Sequence, residues 1–357
     1  MEDLAMTRER VLVTGNMGYI GPMLGRAFAD SGAVPYLIGL DNGYFGHCLS
    51  APGPLPELAF DEQRFLDLRD AGEEQFAGVD TVIHLAAISN DPMGKSFEAA
   101  TESINAEGSA ALARLAKKAG VRHFVFSSSC SMYGAAGEGA VTEQAPLTPL
   151  TAYARSKAFM EKELQGLAGE GFTVSCLRFA TACGWSPRTR LDLVLNDFVA
   201  SAVASGRIEV LSDGSPWRPL IHIEDMARAL VWASRRSPDA GGTFLAVNVG
   251  RNDWNYQVKA LAEAVADVIP GTEVSINRDA APDRRSYRVD FSLLEKLAPP
   301  GLIRWTLEKT VRDLHENFLG IGFADRNFRA SSLVRLVELQ RLKSAGRLDD
   351  NLRWVRG

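Results

Sequence analysis

Tyr153 and Lys157 stand four residues apart in Tyr-Ala-Arg-Ser-Lys, so on a helix they share one face. An ammonium held beside a phenol, helped by a cationic cofactor, favours the phenolate and brings an ordinary pKa of about 10 towards the working pH. Such a tyrosine can take the proton of a substrate hydroxyl while a hydride leaves the same carbon. A Tyr/Lys pair at this spacing is also common on helix surfaces and at interfaces, so it needs company. The run Phe124-Val125-Phe126-Ser127-Ser128-Ser129 reads as a buried strand ending in hydroxyls. Its last member, Ser129, can hydrogen-bond the substrate hydroxyl, although serines at a strand end also make turns.

That chemistry needs a hydride acceptor. Thr14 to Gly21, TGNMGYIG, has the spacing GxxGxxG between an apolar run at Val11–Val13 and the helical spacing of Leu24, Ala27 and Phe28. Gly15, Gly18 and Gly21 permit a tight turn and close approach to a pyrophosphate, and the helix N-terminus favours the anion. A glycine triplet can equally be a structural turn, which is why Asp41 matters. It closes the second apolar run about 20 residues beyond Gly21, where a carboxylate accepts from the adenosine ribose hydroxyls and repels a 2′-phosphate. The pattern predicts NAD rather than NADP; the alternative for Asp41 is a solvated strand end.

These residues must be positioned by an alternation of apolar runs with helical stretches. Runs at Tyr36 to Leu40, Thr81 to Leu85, His123 to Ser127 and Thr173 to Phe179 are separated by Ala-rich segments, with long helices expected at Ser103 to Ala119 and Thr151 to Ala168. This predicts an α/β fold, a Rossmann-like doubly wound parallel sheet, because parallel neighbours need crossover helices. After Arg178 the regularity breaks at Gly184 to Arg190 and Ser212 to Pro219, which predicts a smaller interleaved α/β substrate-binding domain. The expected division is 8–180 plus about 218–252 for the dinucleotide domain and about 181–217 plus 253–325 for the substrate domain. A C-terminal helical extension, 326–357, follows.

Composition narrows the classes. The 357 residues, 46% hydrophobic and 23% charged, can bury a large core. A net charge of -5 without a long Lys/Arg run gives no footprint for nucleic acid or an anionic membrane. Cys48, Cys130, Cys176 and Cys183 form no CxxC pair, so neither a disulfide framework nor a metal site is suggested. With no apolar run of membrane-spanning length and no secretory h-region at the start, a cytoplasmic protein is expected.

With TGNMGYIG, Asp41, Asp67 in FLDLRD, HLAAIS at 84–89, Asn105, SSSCSMYG at 127–134 and YARSK at 153–157, the chain resembles the extended short-chain dehydrogenases that act on nucleotide sugars, over most of residues 10–320. The resemblance implies a catalytic set of Ser129, Tyr153 and Lys157, with Lys157 also on the nicotinamide ribose. It implies an NAD site drawn from Gly15, Asn16, Met17, Gly18, Tyr19, Ile20 and Gly21, with Asp41 and Asn42 at the ribose and Asp67 and Leu68 facing the adenine. Leu85, Ala86, Ala87 and Ser127 complete that site. For a nucleotide-diphosphate sugar it implies Ser89, Ser129 and, in WRPLIHIED, Arg218 as a diphosphate clamp, with Arg285 in DRRSY as a second. Arginine suits that task because it holds phosphate oxygens bidentately. Asn196 joins them by its place in the expected substrate segment. A homodimer through a four-helix interface is also implied.

Within the resemblance, the two residues after Ser129 direct the keto-sugar. Dehydratases carry Asp-Glu there and decarboxylases keep the glutamate, whereas this chain has Cys130-Ser131. That departure points to a 4-epimerase, which needs only to let the keto-sugar turn over. The alternatives are a dehydratase using Cys130 as acid or base, a keto-sugar reductase, and, outside enzymes, an NAD-binding sensor or scaffold. A buried thiol is more often inert packing, and a scaffold has no use for the Ser129, Tyr153 and Lys157 set.

Overall fold

The computed structural model describes residues 8–135, 139–280 and 286–355. Seven parallel strands form the central sheet in the order Phe244–Val249, Thr173–Phe179, His123–Ser129, Thr81–His84, Arg10–Thr14, Tyr36–Asp41, Glu62–Phe65. The order reverses beside Arg10–Thr14, and it is at such a switch point that a doubly wound sheet opens a crevice at its carboxyl ends. Thr173–Phe179 is buried along its whole length, as expected of a strand covered on both faces.

The two long helices differ from their expected form in one respect. Ala152–Leu167 is a regular α-helix, capped by Thr151, whose hydroxyl accepts from the Ala154 amide at 3.1 Å. The segment expected as one helix from Ser103 to Ala119 instead contains a π-helical stretch, Ser103–Gly108, before Ser109–Lys118. That widened turn holds Asn105, whose side-chain carbonyl accepts from the Ile88 amide at 2.8 Å and whose amide donates to the Ile88 carbonyl at 2.9 Å. The loop after Thr81–His84 is thereby fixed at the mouth of the crevice.

Beyond the central sheet, Trp217–His222 pairs parallel with Thr181–Cys183 and antiparallel with Asn255–Gln257. Glu273–Ile276 pairs with Arg207–Val210. Around them Leu195, Val199, Leu261, Val265, Val311 and Leu314 make a separate apolar cluster.

The C-terminal extension forms a helix, Arg335–Ser344, and then an irregular return. Leu339, Leu342, Leu348 and Leu352 are buried in the same cluster as Leu12, Leu40 and Leu68 of the central sheet region. Trp354 donates its indole N–H to the Asn42 carbonyl at 2.7 Å, and the Tyr44 hydroxyl donates to the Leu352 carbonyl. Arg353 pairs with Asp70 at 2.8 Å. The chain end thus closes over the loop that follows Asp41. Among the described residues no helix is long and apolar enough to cross a membrane.

Candidate active site

A cleft of about 690 Å³ runs along the carboxyl ends of the strands, from Gly15 and Asp41 past Tyr153 to Arg218 and Tyr287. At its first end the turn is tight because glycines let its segments pack closely. A Cβ at Gly15 would lie 2.6 Å from the Ala86 amide nitrogen, and the residue has φ +74°; a Cβ at Gly21 would lie 1.9 Å from the Asn16 carbonyl oxygen. Only glycine lets these segments approach so closely. Gly15, Gly18, Tyr19 and Ile20 line the cleft. Asn16 and Met17 support it from behind: the Asn16 amide donates to Gln63 at 2.7 Å, and the Met17 amide donates to Asp41 at 3.1 Å.

Asp41 also accepts from the Gly43 amide at 2.8 Å, and burial raises its pKa against these two bonds. Asp41 lines the cleft together with Asn42, Leu68, Leu85, Ala86 and Ala87. Asp67 is placed otherwise. It accepts from the Arg69 guanidinium at 2.6 and 2.9 Å and from the Arg69 amide at 3.0 Å, and Leu66 and Leu68 line the cleft on either side of it. A cradle of close-packed glycines beside a strand-end carboxylate fits the expected dinucleotide.

Ser127, Ser129, Tyr153 and Lys157 come together at the middle of the cleft. Ser129 Oγ donates to Ser131 Oγ at 2.9 Å and lies near enough to the Tyr153 hydroxyl to favour its ionised form. Lys157 is buried, donates to the Ser127 carbonyl at 2.6 Å, and has its ammonium 5.6 Å from the centre of the Tyr153 ring. In the protein alone burial outweighs attraction: it pushes Tyr153 up to about 12, against the opposing influence of Ser129, and pulls Lys157 down to about 7. Lys157 without a cofactor therefore leaves the phenol protonated, in keeping with the expectation that a cationic cofactor must help it. Activation needs further positive charge beside the phenol.

One turn beyond Lys157, Glu161 locks the helix to the sheet. It accepts from Ser128 Oγ at 2.6 Å and from the Arg178 guanidinium at 2.6 Å. Tyr153, Lys157 and Glu161 therefore share one face, two facing the cleft and one holding the register.

Cys130 does not reach the cleft. It is 1% exposed, its thiol donates to the Arg178 carbonyl at 3.0 Å, and burial pushes its pKa up. Of the two residues after Ser129, Ser131 lines the cleft and Cys130 does not.

Of the residues expected to bind substrate, Arg218 and Ser89 line the cleft, while Arg285 lies outside the described residues. Asn196 is fully buried and spent on structure. It accepts from the Gly184 amide at 2.9 Å and donates to the Tyr19 hydroxyl at 3.0 Å and the Arg190 carbonyl at 2.9 Å. It fixes the loop that carries a side chain the sequence reading missed. Arg190 lines the cleft, donates to Ser89 Oγ at 3.0 Å and grips Asp192 at 2.8 and 3.0 Å. Burial would push the Asp192 carboxyl up, but Arg190 holds it below the ordinary range. The Arg-x-Asp spacing was the available signal; nothing in it says which side faces a ligand. Tyr287 and, from the C-terminal extension, Arg329 and Arg335 also line the cleft.

The sequence profile described as the NAD dependent epimerase/dehydratase family matches residues 11–250. A UDP-glucose 4-epimerase of Streptomyces lividans is 30% identical over 280 residues, which cover 72% of this chain and 80% of that protein. An uncharacterised protein, y4nG, of Sinorhizobium fredii is 26% identical over 266 residues; these are 74% of this chain and 61% of that longer protein. Among solved structures, an NAD-dependent NDP-hexosamine 5,6-dehydratase of tunicamycin biosynthesis superposes with a TM-score of 0.74 at 24% identity, over 90% of this chain and 100% of that one. The last likeness is one of fold.

Proposed function

The chain belongs to the NAD dependent epimerase/dehydratase family, and on that premise we propose that it is a nucleotide-diphosphate-sugar 4-epimerase. The observation that carries the choice of reaction is the pair after Ser129. Cys130 is turned into the core and Ser131 offers a hydroxyl, so no carboxylic acid stands there to protonate a leaving group.

NAD, when bound, supplies reversible two-electron oxidation of a carbinol. The residues of this chain do the rest. Tyr153 takes the hydroxyl proton, Ser129 holds the sugar oxygen by hydrogen bonding, and the Lys157 ammonium keeps the phenolate within reach. Gly15, Gly18 and Asp41 hold the dinucleotide, and Arg218 holds the sugar's diphosphate. Tyr153 then returns the proton after the keto-sugar has presented its other face. An alcohol of inverted configuration results.

A homodimer and a cytoplasmic setting belong to the same proposal. Phe159, on the helix Ala152–Leu167, is 44% exposed and suits helix packing between copies; light scattering on the purified protein tests this. Four free, buried cysteines fit a reducing compartment. The reaction is tested by incubating the protein with UDP-, dTDP-, GDP- and CDP-hexoses and NAD, followed by NMR and mass spectrometry. An epimer of unchanged mass is expected, whereas loss of water would make it a dehydratase.

A further inference from the structure

Of the two arginines that the extension brings to the cleft, Arg335 is unaccounted for by the mechanism above. Arg335, the first residue of the helix Arg335–Ser344, is 1% exposed and is one of the residues lining the cleft. Its guanidinium donates to the Arg188 carbonyl at 2.8 Å and to the Ser332 carbonyl at 3.3 Å, and lies 4.9 Å from the centre of the Phe45 ring. Arg190 and Arg329 each pair with an aspartate, but among the described residues no carboxylate forms an ion pair with Arg335. Burial pulls its pKa down to about 10; Cys48 and, less strongly, Asp192 oppose this, while repulsion from Arg190 and Arg188 adds to it. A buried guanidinium left with two carbonyls and a ring face is costly unless an anion reaches it.

Its neighbours identify which end of the cleft that anion occupies. Phe45 lies four residues beyond Asp41, on the loop bordering the dinucleotide cradle. The Arg188 loop is tied to the glycine-rich turn, because Ser186 Oγ donates to the Tyr19 carbonyl at 2.8 Å. It is tied to the loop after Phe45 as well, by the Ser50 amide on the Pro187 carbonyl at 2.8 Å. Arg188 itself is spent on Glu57 and on the carbonyls of Phe45 and Gly46. The glycine-rich turn offers a diphosphate only backbone N–H groups and a helix end. A cation beside it completes the charge balance.

We propose that Arg335 binds the diphosphate of the dinucleotide, so that the C-terminal extension is part of the cofactor site. The proposal rests on the NAD reading above. A diphosphate could also be the substrate's, so the test separates the two. Titration calorimetry on nucleotide-stripped protein measures NAD, ADP-ribose, adenosine and UDP, with melting temperatures in parallel. Arg335→Met is expected to lose NAD and ADP-ribose affinity by roughly 10- to 100-fold, the range for a hydrogen bond to a charged group. Adenosine and UDP should bind it as they bind the unaltered protein, and Arg335→Lys should recover most of the NAD affinity. Arg335→Gln, which keeps donors for the Arg188 and Ser332 carbonyls, serves where the methionine variant does not fold. Undiminished NAD affinity in a folded variant, or a loss confined to UDP, would overturn the assignment. Failure of the unaltered protein to bind NAD would overturn the NAD reading instead.

Discussion

At the scale of single residues, the site pairs a phenol that burial holds protonated with an ammonium that burial discourages. Tyr153→Phe removes the acid/base and leaves the ring, so turnover should fall by about 10²–10⁴-fold, while NAD affinity and melting temperature stay in place. Lys157 also predicts a pH dependence with a definite sign. A free lysine titrates near about 10.4, and buried Lys157 near about 7. Between those values the folded chain binds fewer protons than the unfolded one, so this group makes stability rise with pH; below about 7 its full penalty is present. Urea midpoints should therefore show the advantage of Lys157→Met shrinking from pH 7 to pH 10. A difference independent of pH would contradict the assigned burial.

Elements explain why those residues meet. The glycine spacing, Asp41 and the Tyr-x-x-x-Lys face were legible in the sequence because each depends on local geometry, a turn or one helix face. Gly15 is the clearest case: Gly15→Ala adds a Cβ 2.6 Å from the Ala86 amide nitrogen at φ +74°. The left-handed backbone alone costs about 1–2 kcal/mol for a residue with a side chain. A lower melting temperature and loss of NAD binding by calorimetry are both expected. What could not be read was the facing of side chains settled by distant partners. Cys130 and Ser131 are adjacent in sequence, but the Arg178 carbonyl takes the thiol and leaves the hydroxyl in the cleft. Asn196 looked available for substrate until Tyr19, Gly184 and Arg190 claimed its amide. The π-helical turn at Ser103–Gly108 is likewise invisible to helical periodicity, since its apolar residues still suit a helix.

For the whole molecule, the parallel sheet with crossover helices followed from alternation of apolar runs, but the C-terminal extension offered only a charged helical pattern. Its role depends on contacts more than 280 residues away in sequence, such as Arg69 to Asn351 and Arg353 to Asp70. Deleting residues 346–357 removes Leu348 and Leu352, 3% and 0% exposed, and the Trp354 bond to the Asn42 carbonyl. Two buried leucines contribute about 3–6 kcal/mol. A marked fall in melting temperature, with weaker adenosine binding as the Asn42 loop loosens, is expected; an unchanged melting curve would show that the extension does not hold that loop.

The most direct test of the central claim follows a labelled hydrogen. A nucleotide hexose that the protein turns over, carrying deuterium at C4, is incubated with enzyme and NAD in ordinary water. Epimerisation by return of the same hydride gives the C4 epimer at unchanged mass with the deuterium kept at C4. Loss of one water, or an epimer whose deuterium has been replaced from solvent, would contradict it.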